Sequence, residues 1–324
     1  MSIPNRAPQS ACVIIASYNR PDLLKQTLES LESVSPVQNL DTSILIIENG
    51  TSAPTLNLDS DRIGPFKVQY LHTPIQGKSA ALNLAVKETK ADILAFTDDD
   101  VRFPRDWLFE ITEPIISNEA DVTVGGCRIS EELNRKWMTR YHRPFLASTE
   151  YLDDTDPSEF AGVNYACHRR VFEKVPEFDT ELGGGGLGNC EDSIFAKQLK
   201  QAGFRFASKT KNFVIHHPDS SRLKYQSWLK ASAAKGKSEA YVLHHWEHRS
   251  IAFPLLKLAW LKTKLSTRSL LSSKQPRIEE GIKAWEMSYR VDIAIISHYL
   301  KIHKEPYKYD LLGLKKLTPN ENNA

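Results

Sequence analysis

Three consecutive carboxylates, Asp98-Asp99-Asp100, close the apolar run Ile93-Leu94-Ala95-Phe96. An uninterrupted apolar run ended by charge reads as a strand buried on both faces, which belongs in a parallel sheet. In open α/β sheets ligands bind outside the carboxyl ends of the strands, so the aspartates are expected at a ligand crevice. Their mutual repulsion needs compensation, and a hard divalent cation that itself holds a diphosphate would supply it. A solvated acidic turn is the plain alternative.

The surrounding chain alternates strand and helix signals. Ala11–Ser17, Ser43–Ile47, Val68–Leu71, Ile93–Phe96 and Val122–Gly126 read as strands. Between them Leu23, Leu24, Thr27, Leu28 and Leu31 recur at helical spacing, with Pro21 suited to the first helical position. Gly77–Lys90 and Arg105–Ser117 also read as helices. This βαβ rhythm predicts a mostly parallel, doubly wound sheet. Residues 128–160 lose the rhythm and read as an excursion able to shape a substrate site; order resumes over Phe160–Val175. Gly183–Gly186 is a loop, a helix is expected from Cys190 to Ala202 with Gly203 as its cap, and Phe213–Ile215 is a last short strand. From Ser220 the pattern is helical and amphipathic, which divides the chain into residues 1–219 and a basic, mainly helical C-terminal region, 220–324.

Composition is that of an ordinary globular protein, 41% hydrophobic and 25% charged over 324 residues. Cys12, Cys127, Cys167 and Cys190 form neither a CxxC pair nor a zinc pattern; they suit a reducing cytosol, with Cys12 and Cys127 as buried thiols. The N-terminal MSIPNRAPQS has no apolar stretch of a secretory signal, and Ile251 to Leu271, the longest candidate span, is broken by Lys257, Lys262, Lys264 and Arg268. The expected location is cytoplasmic. The net charge of +2 hides an asymmetry: residues 222–277 carry twelve Lys/Arg against two Asp/Glu. With Leu, Trp and Phe interleaved, that segment suits an anionic surface, which leaves a peripheral contact with the inner face of a membrane open beside an ordinary solvated helical face. Nucleic acid is not the expected partner.

Six segments, in order, carry a resemblance: VIIASYNRPDLLKQTLESL, ILIIENGT, QGKSAALNLAV, ADILAFTDDDVRFPRDWL, GVNYACHRRVFEKVPEFDTELGGGGLGNCEDSIFAKQLKQAGFRF and VIHHP. Together, over about residues 11–218, they resemble a family 2 inverting glycosyltransferase with the GT-A fold. The resemblance implies a GT-A nucleotide-binding sheet with a helical C-terminal extension. It also implies transfer of a sugar from a nucleotide-sugar donor to the hydroxyl of a glycan, lipid-linked or other acceptor, with Mn2+ or Mg2+ as cofactor, as in polysaccharide or glycoconjugate synthesis.

The chemistry needs a cation for the leaving diphosphate and a base for the acceptor hydroxyl. The resemblance gives the first to the DxD pattern: Asp100 on the metal, Asp98 on the metal and on the ribose or donor sugar, Asp99 beside the donor. His216, directly after Val214-Ile215, would complete the metal site while His217 faces away. Glu48 stands where an acid accepts the imide N–H of uracil, which favours a UDP-sugar, although Asp is more usual there. Ser17 and the turn Tyr18-Asn19-Arg20 would line the nucleotide pocket. Lys78, beside Gly77, suits ribose or phosphate, and equally an exposed surface lysine. Glu191-Asp192 resembles the family's ED motif, with Asp192 as base. A helix N-terminus favours an ionised carboxylate, so burial or the bound donor must restore basicity there; Asn189 and Asp192 also suit helix capping. Trp107, Asn164, Gly185 and Gly186 are the acceptor-side candidates. His244, His245 and His248 read as surface histidines. A nucleotidyltransferase is the rival enzyme class, but its glycine-rich triphosphate loop is missing from ASYNRP; a non-catalytic nucleotide-sugar-binding module is the third reading.

Overall fold

The computed structural model describes residues 9–50, 52–58, 60–150, 161–272, 280–311 and 313–317. The last ten residues of the excursion, 151–160, lie outside these. A nine-stranded sheet forms the centre. Its strands are β1 (Ser10–Ser17), β2 (Asp41–Asn49), β3 (Arg62–Ile63), β4 (Phe66–Thr73), β5 (Ile93–Asp98), β6 (Val101–Arg102), β7 (Val122–Ile129), β8 (Asn164–His168) and β9 (Phe206–His216). The order is β3-β4-β2-β1-β5-β8-β7-β9-β6. Strands β4, β2, β1, β5, β7 and β9 run one way; β8, between β5 and β7, and the short β3 and β6 run against them.

Residue parity explains the uninterrupted apolar runs. Ala11, Val13 and Ile15 of β1, Ile44 and Ile46 of β2, and Ile93 and Ala95 of β5 face one layer. There they meet Leu24, Leu28 and Leu31 of α1 (Pro21–Glu32) and Trp107, Leu108, Ile111 and Ile115 of α3 (Trp107–Ile116). Cys12, Ile14, Leu45, Ile47, Leu94 and Phe96 face the other. They pack on Ala81, Leu82, Ala85 and Val86 of α2 (Lys78–Glu88) and on Phe195, Ala196 and Leu199 of α4 (Glu191–Gln201). Strands covered on both faces need apolar residues at every position, and all four cysteines are buried free thiols.

The register levels the carboxyl ends of the central strands: Ser17 pairs with Glu48, and Ala16 with Asp98. Strand β9 is much longer than its Phe213–Ile215 core, and its last residue, His216, pairs with Val101 just beyond the aspartates. The C-terminal helices α5 (Tyr225–His245), α6 (Pro254–Ser272) and α7 (Ala284–Ile302) follow. Trp228 of α5 and Met287 of α7 share a core with Ile129, Leu133 and Leu146, and Tyr241 and Trp246 share another with Ile194 of α4. His244 and His245 are buried, contrary to the surface reading: His244 Nε2 lies 2.9 Å from the carbonyl of Glu305. Among the described residues no helix is long and apolar enough to cross a membrane.

Candidate functional site

A cavity of about 620 Å³ opens at the strand ends. Arg20, Lys78, Asp98, Asp100 and His216 line one side; Gly162, Glu191 and Asp192 line another; Arg222, Lys197, Lys200 and Lys235 add positive charge. Ser17, Tyr18, Asn19, Asp99, Glu48, Trp107, Asn164, Gly185 and Gly186 are not among its lining residues.

The aspartates are compensated by the protein's own cations. Arg20 sits after Asn19, whose φ of 50° turns the chain sharply at the end of β1. Its guanidinium bridges Asp99 Oδ1 at 2.5 Å and Asp100 Oδ2 at 2.9 Å. Lys78 Nζ holds Asp98 Oδ1 at 2.6 Å and lies 3.7 Å from Glu191. Burial works against a charged Lys78, but Asp98 and Glu191 outweigh it and raise its pKa, so the lysine belongs to the site and not to the open surface. Asp98, expected on the metal as well as the donor, has this oxygen engaged by Lys78.

Asp99 departs from its expected donor contact. It is fully buried, accepts Ser17 Oγ at 2.6 Å, and ties the ends of β1 and β5 together. Burial, with Asp100 and Asp98 adding repulsion against the pull of Arg20, pushes its pKa up to about 7. Ser17 is buried too, which removes it from the nucleotide pocket. Two residues not anticipated fasten the same corner. Thr27 of α1 donates to the carbonyl of Asp99 at 2.7 Å and accepts from Val101 N at 3.1 Å. Asn49 donates to the carbonyl of Ser17 at 2.8 Å and accepts from Gly77 N at 2.9 Å. A threonine on the apolar stripe of α1 was the available signal for the first.

Asp100 has a different environment. Its Oδ1 is buried without a well-formed hydrogen bond and faces His216 Nε2 at 3.2 Å. His216 Nδ1 lies 2.8 Å from the carbonyl of Leu146. When Nδ1–H donates there, the neutral ring presents a lone pair at Nε2 to the carboxylate. Two electron-rich atoms facing each other ask for a proton or a cation. Burial alone would raise the Asp100 pKa; with both ring nitrogens of His216 protonated, its charge and that of Arg20 outweigh burial and hold the carboxyl well below the usual range. Among the described residues no group of three or more His, Cys, Asp or Glu is placed to hold a metal by itself. Asp100 and His216 therefore fit a cation whose remaining ligands are substrate phosphates and water, as small hard cations prefer.

Glu48 is placed against expectation. Its carboxylate accepts Thr55 N–H at 2.8 Å and is also held by the hydroxyls of Thr55 and Tyr70. Burial would raise its pKa, but these hydrogen bonds outweigh it and lower it. It is occupied within the protein rather than open to a base. Trp107 is likewise withdrawn: it is fully buried against Phe103, and its Nε1 donates to Asn164 Oδ1 at 2.9 Å. Asn164 in turn donates to the carbonyl of Gly126 at 2.8 Å, so this pair braces α3, β7 and β8 and does not meet an acceptor. Gly185 and Gly186 serve packing: a Cβ on Gly185 would stand 2.7 Å from Gly77 Cα, and one on Gly186 2.5 Å from the Glu181 carbonyl.

Across the cavity, α4 begins after Cys190, which has φ 76° and makes no side-chain cap. Asn189 and Asp192 do not act as the expected cap. Asp192 Oδ2 accepts Gly162 N–H at 2.7 Å, and Oδ1 accepts Ser193 N–H at 2.7 Å. Oδ1 also accepts the Ser193 hydroxyl at 3.3 Å, so Oδ2 is the oxygen with a lone pair to spare, and the side chain is only half-buried. Glu191 is buried, and burial with the adjacent Asp192 charge pushes its pKa up to about 7 against the pull of Lys78. When the folded pKa exceeds the unfolded one, the folded state binds more protons between the two, and stability falls as pH rises. The loss from Glu191 accordingly grows between its ordinary 4.5 and about 7, then stays constant. A Glu191→Gln variant should melt above wild type at about pH 8, with the gap closing toward about pH 4.5. A gap that does not vary with pH would refute this.

An open sheet with covered faces and a charged cavity at its carboxyl edge defines a doubly wound α/β ligand-binding architecture. The model of the family described as Glycosyl transferase family 2 matches residues 12–175. The succinoglycan biosynthesis protein ExoM of Rhizobium meliloti (strain 1021) is 29% identical over 116 residues, 35% of this chain and 37% of that protein. An uncharacterized glycosyltransferase of Rickettsia felis is 33% identical over 94 residues, 29% of this chain and 15% of that protein. The chain thus spans well under half the length of these relatives. Among solved structures, the mannosyltransferase PcManGT from Pyrobaculum calidifontis, in complex with GDP-Man and Mn2+, aligns with a TM-score of 0.55 at 17% identity, covering 93% of this chain and 89% of that one. S. aureus TarS aligns with a TM-score of 0.50 at 13% identity, covering 79% and 43%. These two likenesses establish the GT-A fold. The chain belongs to glycosyl transferase family 2.

Proposed function

We propose that the protein is an inverting, metal-dependent glycosyltransferase that moves a sugar from a nucleoside-diphosphate sugar to a hydroxyl of a glycan or lipid-linked glycan, in polysaccharide synthesis. The observation that carries this is that Asp100, His216 and Asp192 line the same cavity. The succinoglycan-related name of one relative supports the polysaccharide setting. In this reading residues 1–219 form the GT-A domain, and residues 220–324 frame the acceptor side and face an anionic membrane.

Asp192 takes the proton of the acceptor hydroxyl as that oxygen attacks the anomeric carbon from the side opposite the diphosphate. The bond from the anomeric carbon to the diphosphate oxygen breaks, and the oxygen leaves with the electron pair. Arg20, Lys78 and Arg222 offer positive charge near that leaving group. Asp100 and His216 would hold Mn2+ or Mg2+, which supplies Lewis-acid stabilisation of the leaving charge. Asp98 keeps Lys78 in place beside the donor, and Tyr18, which is exposed, stands at the rim of the nucleotide side. A uracil contact by Glu48 requires that carboxylate to leave Thr55 and Tyr70, so UDP and GDP are both tested.

The test is thermal stabilisation by UDP, GDP and their sugars, each with and without Mn2+. At least one diphosphate should raise the melting temperature only when the metal is present. If none does, the donor-site reading fails.

A further inference from the structure

Helix α6 carries five exposed large apolar side chains, Leu255, Leu256, Trp260, Leu270 and Leu271. Leu256 is 71% exposed, Trp260 55% and Leu271 85%, and Phe253, just before the helix, is 74% exposed. On a wheel of 3.6 residues per turn, Leu258, Leu261 and Leu265 form the stripe with the greatest burial, on the side packed against α7. Opposite them stand Leu256, Ala259, Trp260, Thr263, Thr267 and Leu271. The two threonines do not make that face polar: Thr263 Oγ1 donates to the Ala259 carbonyl at 3.0 Å, and Thr267 Oγ1 to the Thr263 carbonyl at 3.0 Å. Their hydroxyls are spent on the helix's own backbone.

Charge is arranged around this face and not on it. Lys257 and Lys264 flank one side and Lys262 the other, Arg268 stacks on Trp285 of α7 at 4.6 Å, and residues 254–272 contain no Asp or Glu. Lys264 Nζ lies over the Trp260 ring at 3.7 Å, a cation at the border of the apolar face. Long basic side chains in that position let the apolar face sink while the charges reach outward to headgroups.

We propose that α6 is an interfacial helix that lays its Leu256–Trp260–Leu271 face into the headgroup region of an anionic bilayer, with Lys257, Lys262 and Lys264 bound to lipid phosphates. This deepens the membrane placement given with the function and rests on it. The charge pattern selects this occupant. A second copy meeting α6 through the same face would bring two cationic rims together, which costs affinity. Nucleic acid would use the rim but leave the leucines and tryptophan without a partner.

The experiment is co-sedimentation with phosphatidylglycerol-containing vesicles and with neutral phosphatidylcholine vesicles, at low and high salt. Wild type should bind the anionic vesicles, more weakly as salt rises. L256S/W260S should bind them at least about tenfold more weakly. K257Q/K262Q/K264Q should lose about a hundredfold, together with most of the salt dependence. Both variants change exposed side chains and should keep the wild-type melting temperature and nucleotide-dependent stabilisation. Wild type that ignores anionic vesicles overturns the membrane placement altogether. Binding that survives both variants overturns only the assignment to α6. A wild-type dimer in sedimentation velocity that dissociates in L256S/W260S would assign the face to a second copy and overturn the proposal.

Discussion

Asp192→Asn should lower transfer by about a hundred- to ten-thousand-fold, the range a positioned general base contributes, while nucleotide-dependent thermal stabilisation stays at its wild-type size. The geometry makes this substitution unusually clean. Asp192 is held by two backbone N–H groups, from Gly162 and Ser193, one on each oxygen. An amide of the same shape keeps one of these bonds and turns its NH2 toward the other donor. That costs about 1 kcal/mol, enough to shift the melting temperature by a few degrees and too little to unfold the domain. The variant should therefore be folded, donor-competent and inactive. Transfer at wild-type rate would remove Asp192 as the base. Glu191 is poorly placed to replace it, being buried and turned to Lys78.

The scaffold was legible because its central strands are covered on both faces. Ala11–Ser17, Ser43–Ile47 and Ile93–Phe96 have no choice but to be apolar throughout, and the matching helices show complete stripes. The strands that were harder to see are those whose neighbours, not their composition, make them strands. Asn164–His168 is polar at both ends and is held between two antiparallel partners. Phe206–His216 alternates with lysines, and its pairing with β7 shifts register between Gly125 and Gly126. The excursion contains short 3-10 turns at Glu131–Leu133 and Arg143–Leu146, with no periodicity to read.

The site was legible as a set of carboxylates at strand ends, but not as a set of pairings. Which carboxylate faces the cavity depends on contacts far apart in sequence. Asp99 turns inward to Ser17 and Thr27, whereas Asp100 faces His216. Glu48 is captured by Thr55 and Tyr70, whose approach no local pattern announces. Trp107 follows the aspartates closely, yet the turn from β6 into α3 buries it beneath the sheet edge. Arg20 was read only as part of a turn; its fork across Asp99 and Asp100 answers the charge problem that a metal was first invoked to solve.

That answer sharpens what a metal would do in the proposed reaction, and leads to the second large effect. With Arg20 and Lys78 already neutralising the aspartates, loss of the metal should leave the protein folded and disable donor binding. Asp100→Asn keeps the side-chain volume, and Arg20 retains Asp99 at 2.5 Å. The variant should fold, lose Mn2+-dependent stabilisation by the nucleotide, and transfer sugar at least about a thousandfold more slowly, as expected when the main charge stabilisation of a leaving group is removed. His216→Ala should be milder. It removes one nitrogen donor and leaves the carboxylate, so the Mn2+ concentration for half-maximal nucleotide stabilisation should rise about ten- to a hundredfold, with partial recovery of transfer at saturating metal. Titrating Mn2+ against the melting temperature at fixed nucleotide reads both variants on one scale. If Asp100→Asn follows the wild-type titration, the buried Asp100–His216 pair is an internal ion pair and not a cation site. If His216→Ala equals Asp100→Asn in severity, the histidine acts by orienting the carboxylate rather than as an independent ligand.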